Sequence, residues 1–324
     1  MFVGDTHLSE RLDALLETFE TQLLEAAQAD SQFVSEASTH IIAAGGKRFR
    51  PMLVFLSAEV GEREADQADL LRAAMVMELT HVASLYHDDV MDEADVRRGT
   101  PSANRYFGNS VAILVGDFLF AQASKLVALL GKDYILLQAE TFARLVQGQI
   151  AETRGPGEGE DPLAHYLKVI ADKTGSLIAA SAQFGGMVAD VSDEVRSALA
   201  AYGEEVGLVF QLSDDLLDIL SDDSGKTPGT DLREGVPTLP VLMLSDSDDP
   251  ADRALLARIQ GDLSDDAVLA DVLADLRAHP VIDRARAEVR RRADIAKAHL
   301  AALPDGEVKD TLSRVPDTLV DRTT

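Results

Sequence analysis

The residues His87-Asp88-Asp89-Val90-Met91-Asp92 close an apolar run from Met75 to Tyr86, and their spacing puts Asp88 and Asp92 one helical turn apart on a single face. Two carboxylates converge there. Like charges so placed destabilise an isolated helix by about 0.2–0.5 kcal/mol, so the pair asks for a compensating cation. Mg2+ is the natural candidate, because it takes oxygen ligands and commonly binds through one or two carboxylates plus substrate phosphates. Taken alone, an Asp-Asp-x-x-Asp stretch is more often an exposed helix face. The same spacing returns, however, in Gln211-Leu212-Ser213-Asp214-Asp215-Leu216-Leu217-Asp218, inside a second strongly apolar stretch. Facing each other, the two clusters would hold several Mg2+ ions, and those ions bind a diphosphate that bare carboxylates repel.

Basic residues stand where an anion site needs them, in Gly45-Gly46-Lys47-Arg48-Phe49-Arg50-Pro51 and Arg97-Arg98-Gly99. Glycine allows close approach of backbone to a ligand, and arginine offers a planar donor fork suited to phosphate oxygens. Each segment alone reads equally as a helix cap with a solvated end. His81, two turns before Asp88 on the same face, is either a satisfied core histidine or a donor to a diphosphate oxygen. Lys173-Thr174-Gly175 reads as the end of a helical segment, where lysine would complement the helix dipole.

These residues need rigid elements to bring them together, and the pattern of the chain is helical. Leu12, Leu15, Leu16, Phe19, Leu23 and Leu24 recur at helical spacing, and similar patterns fill the segments near 52–60, 67–94, 110–130, 133–152, 162–189, 193–221 and 252–277. Breaks at Gly45-Gly46, Gly61, Gly99-Thr100-Pro101, Gly131, Gly155-Pro156-Gly157 and Pro228-Gly229 leave short joints, which favour antiparallel neighbours around one core. The acidic stretch Ser245–Pro250 lacks the glycine and terminal glutamate of a calcium loop and reads as a helix-capping segment. The expected fold is all-α, a single domain over residues 1–324 with 1–10 and 315–324 as flexible ends.

With 324 residues, 46% of them hydrophobic, the chain can bury a sizeable core. Its net charge of -26 argues against nucleic acid and anionic membrane surfaces as partners. The absence of cysteine removes disulfides, thiolate metal sites and a cysteine nucleophile. The first residues carry no signal-peptide pattern, and the apolar runs Val111–Val115 and Phe118–Ala123 are split by Gly116 and Asp117. The chain therefore reads as cytoplasmic, with no integral membrane segment.

From residue 45 to residue 240 these motifs resemble those of the trans-isoprenyl diphosphate synthases, the polyprenyl synthetase family. Gly-Gly-Lys-Arg-x-Arg-Pro, the first Asp-rich motif with Arg97-Arg98-Gly99, Lys173-Thr174, the Gln211 motif and Gly225-Lys226-x-x-Gly-Thr-Asp231 follow the family's order and spacing. The resemblance implies an all-α domain around a deep central cavity, a homodimer, and Mg2+ as cofactor, with three ions per site once substrate is bound. It further implies that Asp88, Asp92 and Asp214 are metal ligands, supported by Asp89, Asp215 and Asp218. Arg97, Lys173 and Lys226 would hold an allylic diphosphate (geranyl, farnesyl or geranylgeranyl), and Lys47, Arg50, His81 and Arg98 isopentenyl diphosphate. Ionisation of the allylic C–O bond, attack by the isopentenyl double bond and proton loss would follow, with Thr174 and Gln211 oxygens near the carbocation and the released diphosphate as base.

The chain departs from the family pattern in two places. Val236 stands where lysine is usual, leaving Lys226 a larger share of one diphosphate contact. The end Val320-Asp321-Arg322-Thr323-Thr324 is not the basic tail of short-chain farnesyl synthases, so closure from the C-terminus is not expected. Product length follows from the space behind the first motif, where Ala83 and Ser84 are small although short-chain relatives carry aromatics. Thr80 and Met77 lie deeper, and a floor at Phe118, Leu119 or Phe120 would stop growth. The expected product is hexaprenyl to decaprenyl, with geranylgeranyl as the shorter alternative; Ala83 and Ser84 also suit helix–helix contacts. A class I terpene cyclase is disfavoured by the second Asp-Asp-x-x-Asp together with Lys47 and Arg50, and retention of both clusters argues against a non-catalytic subunit.

Overall fold

The computed structural model describes residues 6–220 and 228–322. Its first helices are α1 (Thr6–Ala26), α2 (Gln32–Ala43), α3 (Phe49–Ala58) and α4 (Gln67–Met91). A two-residue hairpin follows, β1 (Val96–Arg97) against β2 (Thr100–Pro101), antiparallel with Val96 opposite Pro101. Next come α5 (Ala103–Phe107), α6 (Asn109–Leu130), α7 (Lys132–Arg154) and α8 (Pro162–Ile170). A π turn (Ala171–Gly175) leads from α8 into α9 (Ser176–Val188), which is followed by α10 (Asp193–Leu220). The last third holds α11 (Thr230–Glu234), α12 (Leu239–Ser245), α13 (Pro250–Ile259), α14 (Asp266–Ala278), α15 (Val281–His299) and α16 (Glu307–Asp321). The all-α expectation holds.

The helix α4 is buried on nearly all sides over Leu70–Tyr86, its apolar residues lying around the whole circumference, which makes it a core helix that also buries Glu78 and Thr80. It packs against α6 on one side and α3 and α9 on others, while α10 joins α9 to α15. Aspartates cap many of the starts. Asp66, Asp161, Asp249 and Asp265 each accept a backbone N–H in the first turn of α4, α8, α13 and α14. Asp249 and Pro250 give the stretch Ser245–Pro250 its capping role, as its composition suggested.

Glycines set the distances between the inner helices. A Cβ on Gly185 would lie 2.2 Å from the Val54 carbonyl, one on Gly203 2.6 Å from the Ala179 Cα, and one on Gly207 2.5 Å from the Gly175 Cα. The backbones of α9, the π turn and α10 therefore touch without side chains between them.

Several boundaries differ from the sequence reading. Gly116 and Asp117 do not interrupt α6; a Cβ on Gly116 would meet the His87 ring at 2.3 Å, so this glycine makes room for that ring. The uninterrupted α6 has an 18-residue window of mean hydropathy 1.7, long and apolar enough by composition to cross a membrane, yet it lies along α4 with 28% of that window buried. Lys173-Thr174-Gly175 is not a helix end but a π turn between two collinear helices. The segment 252–277 breaks at Gly261 into two helices. Residues 6–10 and 315–321 are not loose ends, because Leu8 and Leu12 of α1 and Leu312, Val315, Leu319 and Val320 of α16 form one-sided apolar faces buried in the fold. Gly207→Ala is expected to cost about 1–3 kcal/mol by forcing α10 off the π turn. A thermal melt checks it: a transition lowered by several degrees supports the close approach, and an unchanged one refutes it.

Candidate active site

The first acidic cluster is delivered by the C-terminal turn of α4. Asp92 is the C-cap residue, its N–H bonded to the Asp88 carbonyl at 2.8 Å. Burial pushes the Asp88 carboxyl up to about 6, with Lys173 opposing the shift and Asp92 adding to it; Asp92 is raised for the same leading reason. Asp89 points the other way. It is wholly buried and accepts Arg97 Nε at 2.7 Å and Nη2 at 2.5 Å, so it positions an arginine rather than offering a face to a metal.

The second cluster divides in the same manner. Asp214, in α10, is partly open and 3.3 Å from Arg322 Nη2. Asp215 is buried, accepting Tyr166 Oη at 2.5 Å and the Leu239 N–H at 2.8 Å, and burial pushes its carboxyl up to about 7 despite those bonds. Gln211 also donates to Asp215, which orients its amide. Asp218 accepts the Asp231 N–H at 3.2 Å and its carbonyl accepts the Gly229 N–H at 2.9 Å, tying α10 to the chain that leads into α11. Among the described residues no three acidic or imidazole side chains stand together as a metal site. The carboxylates of Asp88, Asp92 and Asp214 are oxygen donors of the kind Mg2+ takes, with phosphate oxygens of a ligand left to complete the shell.

The cations come from four elements. Lys173, in the π turn, reaches Glu152 Oε2 of α7 at 2.6 Å, and both lie within the field of Asp88 and Asp92. Thr174 stands beside it in the same turn. A π turn inserts one extra residue into a helix and is frequent at functional sites. The hairpin presents Arg97 and Arg98 through positive φ at Arg98 (52°) and Gly99 (77°), the signature of a type I′ turn. Arg98 donates to the Ile41 and Gly45 carbonyls and lies against Gly46, where any side chain would strike it. Arg50 is partly buried, its pKa brought down to about 10 by burial with Arg98 opposing its charge, and its buried Nε has no partner. His81 is held neutral by burial and by Arg50, Arg98, Arg97 and Arg48 around it. Lys47 Nζ sits 5.9 Å from the centroid of the Phe210 ring and the Arg322 guanidinium 6.0 Å from it. Lys226 lies outside the described residues.

An apolar pocket of about 330 Å³ begins beside Asp88, between α4, α6 and α7. Ser84, Phe120, Phe142, Leu145 and Gln149 line it, and Phe120 and Phe142 pack 4.3 Å apart. Ser84 is therefore on the pocket wall, whereas Ala83 is fully buried and not part of the lining. Of the three proposed floor residues Phe120 reaches the pocket; Leu119 is core. A larger polar cleft of about 650 Å³ at Arg11, Glu59 and Glu62 is remote from these residues.

Similarity to known proteins agrees with this geometry. Residues 31–276 match the family model described as polyprenyl synthetase. The chain belongs to the polyprenyl synthetase family. It is 46% identical over 314 residues to the nonaprenyl diphosphate synthase of Mycobacterium tuberculosis, covering 96% of this chain and 91% of that one. The geranylgeranyl pyrophosphate synthase of Corynebacterium glutamicum, solved with calcium and isoprenyl diphosphate, superposes with a TM-score of 0.89 at 43% identity over 99% of this chain and 98% of its own. A decaprenyl diphosphate synthase from Rhodobacter capsulatus gives 0.86 at 31% identity, over 98% and 99%. The chain is thus a prenyltransferase of the all-α isoprenoid synthase fold.

Sequence reasoning missed four of this polyprenyl synthetase's site residues. Glu152, Tyr166 and Phe142 lie in ordinary amphipathic stretches with no motif to mark them, and Arg322 comes from an end read as uninvolved. The C-terminal segment, from which no closure is expected, nevertheless brings Arg322 to 3.3 Å from Asp214. Because no complete metal shell stands among the described residues, Mg2+ by itself should raise the melting temperature little, and Mg2+ with inorganic pyrophosphate by several degrees. Asp88→Asn should abolish most of that gain; equal stabilisation of both proteins would remove Asp88 from the metal site.

Proposed function

We propose that the protein condenses isopentenyl diphosphate with an allylic diphosphate in successive head-to-tail steps, making an all-trans hexaprenyl to decaprenyl diphosphate. The observation that carries this reading is the apolar pocket that starts at Asp88 and Ser84, directly behind one acidic cluster and its cations. A cluster that binds diphosphate at the mouth of an apolar channel suits a substrate with a charged head and a hydrocarbon tail.

In this reading Asp88, Asp92 and Asp214 are the residues that would hold Mg2+. The ion, when bound, neutralises the charge that develops on the departing diphosphate. Lys173, Arg97 and Lys226 hold the allylic diphosphate, while Lys47, Arg50, Arg98 and neutral His81 hold the isopentenyl diphosphate with its double bond toward the allylic carbon. Thr174 and Gln211 turn their oxygens toward the allylic cation, and the low-water, preorganised surroundings make those dipoles effective. The released diphosphate accepts the proton, so no side-chain base is required. The buried carboxylates Asp89 and Asp215 fix Arg97, and Tyr166 with Gln211, respectively.

The growing tail leaves along the pocket wall at Ser84. Phe120 and Phe142 obstruct it, and the opening between Ile113 and Ile150, both more than 40% exposed, offers a way past. Leu114 and Leu129 of α6 and Leu136 of α7 are exposed as well. These exposed leucines suit the proposed homodimer, whose second copy would cover them. Leu114→Asp is then expected to yield monomer in sedimentation velocity; an unchanged sedimentation coefficient for a dimeric wild type would move the interface elsewhere.

The test of activity is incubation with labelled isopentenyl diphosphate, Mg2+ and geranyl, farnesyl or geranylgeranyl diphosphate in turn, followed by chromatography of the dephosphorylated products. Products of thirty carbons or more support the reading, an end at geranylgeranyl supports the shorter alternative, and no incorporation refutes both. In the same assay Ser84→Phe should shorten the product and Phe142→Ala should lengthen it by one or more isoprene units. Unchanged distributions in both variants would show that the tail takes another path.

A further inference from the structure

Four arginines, Arg48, Arg50, Arg97 and Arg98, gather around His81, and one of them is spent differently from the others. Arg48 is buried, with Nε donating to Glu20 Oε1 at 2.5 Å, Nη2 to Glu20 Oε2 at 3.0 Å and to the Ile42 carbonyl at 3.1 Å, and Nη1 to Glu78 Oε1 at 2.9 Å. A guanidinium has five N–H donors, and four of these are committed to the protein. Arg50 Nε, two residues on, is buried without a partner. The backbone at Arg48 is in the left-handed region (φ 46°, ψ 36°), which a residue other than glycine, asparagine or aspartate rarely adopts. Arg48 is also the residue before the first turn of α3, so its conformation decides how that helix leaves the glycine loop. Glu78 is buried in α4, three residues before His81, and stands 4.0 Å from Arg98 as well. Glu20 belongs to α1 and is partly open to solvent.

We infer that Arg48, gripped by Glu20 and Glu78, is a positioning residue that locks the strained turn at residues 45–50, and so aims Lys47 and Arg50 at the diphosphate of isopentenyl diphosphate. The inference rests on the reading of Lys47, Arg50, His81 and Arg98 as that subsite. The arginine bridges α1 and α4, and the turn it carries holds one candidate ligand on each side. Glycine in its place would accept the backbone conformation without strain but would have no side chain to bridge the two glutamates. Lysine would keep the charge but cannot span both carboxylates with a fork of donors.

Steady-state kinetics of the full chain test the inference, with thermal melts alongside. Arg48→Gly is expected to raise the KM for isopentenyl diphosphate at least tenfold, leave the KM for the allylic substrate within twofold, and fold normally because the strain is relieved. Arg48→Lys should recover little of the loss. Glu78→Gln should also raise the isopentenyl KM; a bystander counterion, once neutralised, would leave the site more positive and lower it. Glu20→Gln, at a partly exposed position, keeps the inference testable if the buried variants do not fold, with a severalfold rise expected. An isopentenyl KM within twofold in Arg48→Gly, an equal rise in both KM values, or a fall in Glu78→Gln would each overturn it. Arg50→Ala separates the two levels: an unaltered isopentenyl KM there removes the subsite itself and the inference with it. A raised KM there, with Arg48→Gly normal, removes the positioning role alone.

Discussion

The first acidic cluster sits at the end of a long helix, with Asp88 in the last turn of α4 and Asp92 as its C-cap, while Asp214, Asp215 and Asp218 lie in the described part of α10. A helix C-terminus already carries about half a negative charge in its unpaired carbonyls, so carboxylates placed there stack like charge on like. Asp88 registers the cost as a carboxyl pushed up to about 6, chiefly through burial. Everything else in the site answers that excess. Lys173 enters the field from the π turn, Arg97 from the hairpin and Arg322 from the chain end, and Asp89 gives up its place facing outward to anchor one of them. The carboxylates that remain open are those in need of a cation, and a diphosphate accompanied by Mg2+ brings it.

Delivering those cations to the acidic clusters requires departures from regular helix geometry. The π turn rotates Lys173 and Thr174 out of register with α9, and it can do so because Gly148, Gly203 and Gly207 let α7 and α10 approach backbone to backbone; a Cβ on Gly148 would lie 2.7 Å from the Lys173 nitrogen. The type I′ hairpin turns Arg97 toward Asp89 and Arg98 toward the glycine loop within two residues. Left-handed conformations at Arg48 and Arg98 cost on the order of 1 kcal/mol each, and both occur where an arginine must be aimed. Strain and close approach recur at the site, and the core around it has close approaches of its own at Gly61, Gly185 and Gly186 and a positive φ at Asp190.

This division explains what could be read from the chain without its structure. The two acidic motifs stood out because chemistry fixes residue type at fixed spacing, whereas Lys47, Arg50 and Lys173-Thr174 drew their expected roles from the family resemblance. The helices α4, α6 and α10 were legible because their apolar character runs through many turns. The helix α15 was not, since its sequence Val281–His299 is crowded with arginine and its buried stripe is largely alanine, at Ala285, Ala293 and Ala296. Local periodicity also could not distinguish a π turn from a helix end at Lys173, because the difference is made by α7 and α10 packing against it. Ala83 and Ser84 are adjacent small residues, and only the rotation of α4 about its axis sends Ser84 to the pocket and Ala83 into the core. Glu152, Tyr166 and Arg322 are single polar residues whose roles come from distant partners; no spacing within their own segments announces them.

The surface charge acts on this site in the opposite sense to its own cations. A chain of net charge -26 repels a free diphosphate at long range, yet the repulsion is screened beyond a Debye length of about 8 Å at physiological ionic strength. Inside that distance the ligand meets the exposed Lys47 and the partly buried Arg50, Arg97, Arg98 and Lys173, whose partial burial screens the last four less. Pairing diphosphate with Mg2+ lowers the charge that the acidic surface can repel and, on the proposed reading, supplies a cation to Asp88, Asp92 and Asp214. Capture is therefore governed at contact rather than at a distance, and the acidic surface favours the metal-bound form of the ligand over the bare anion before either reaches the pocket.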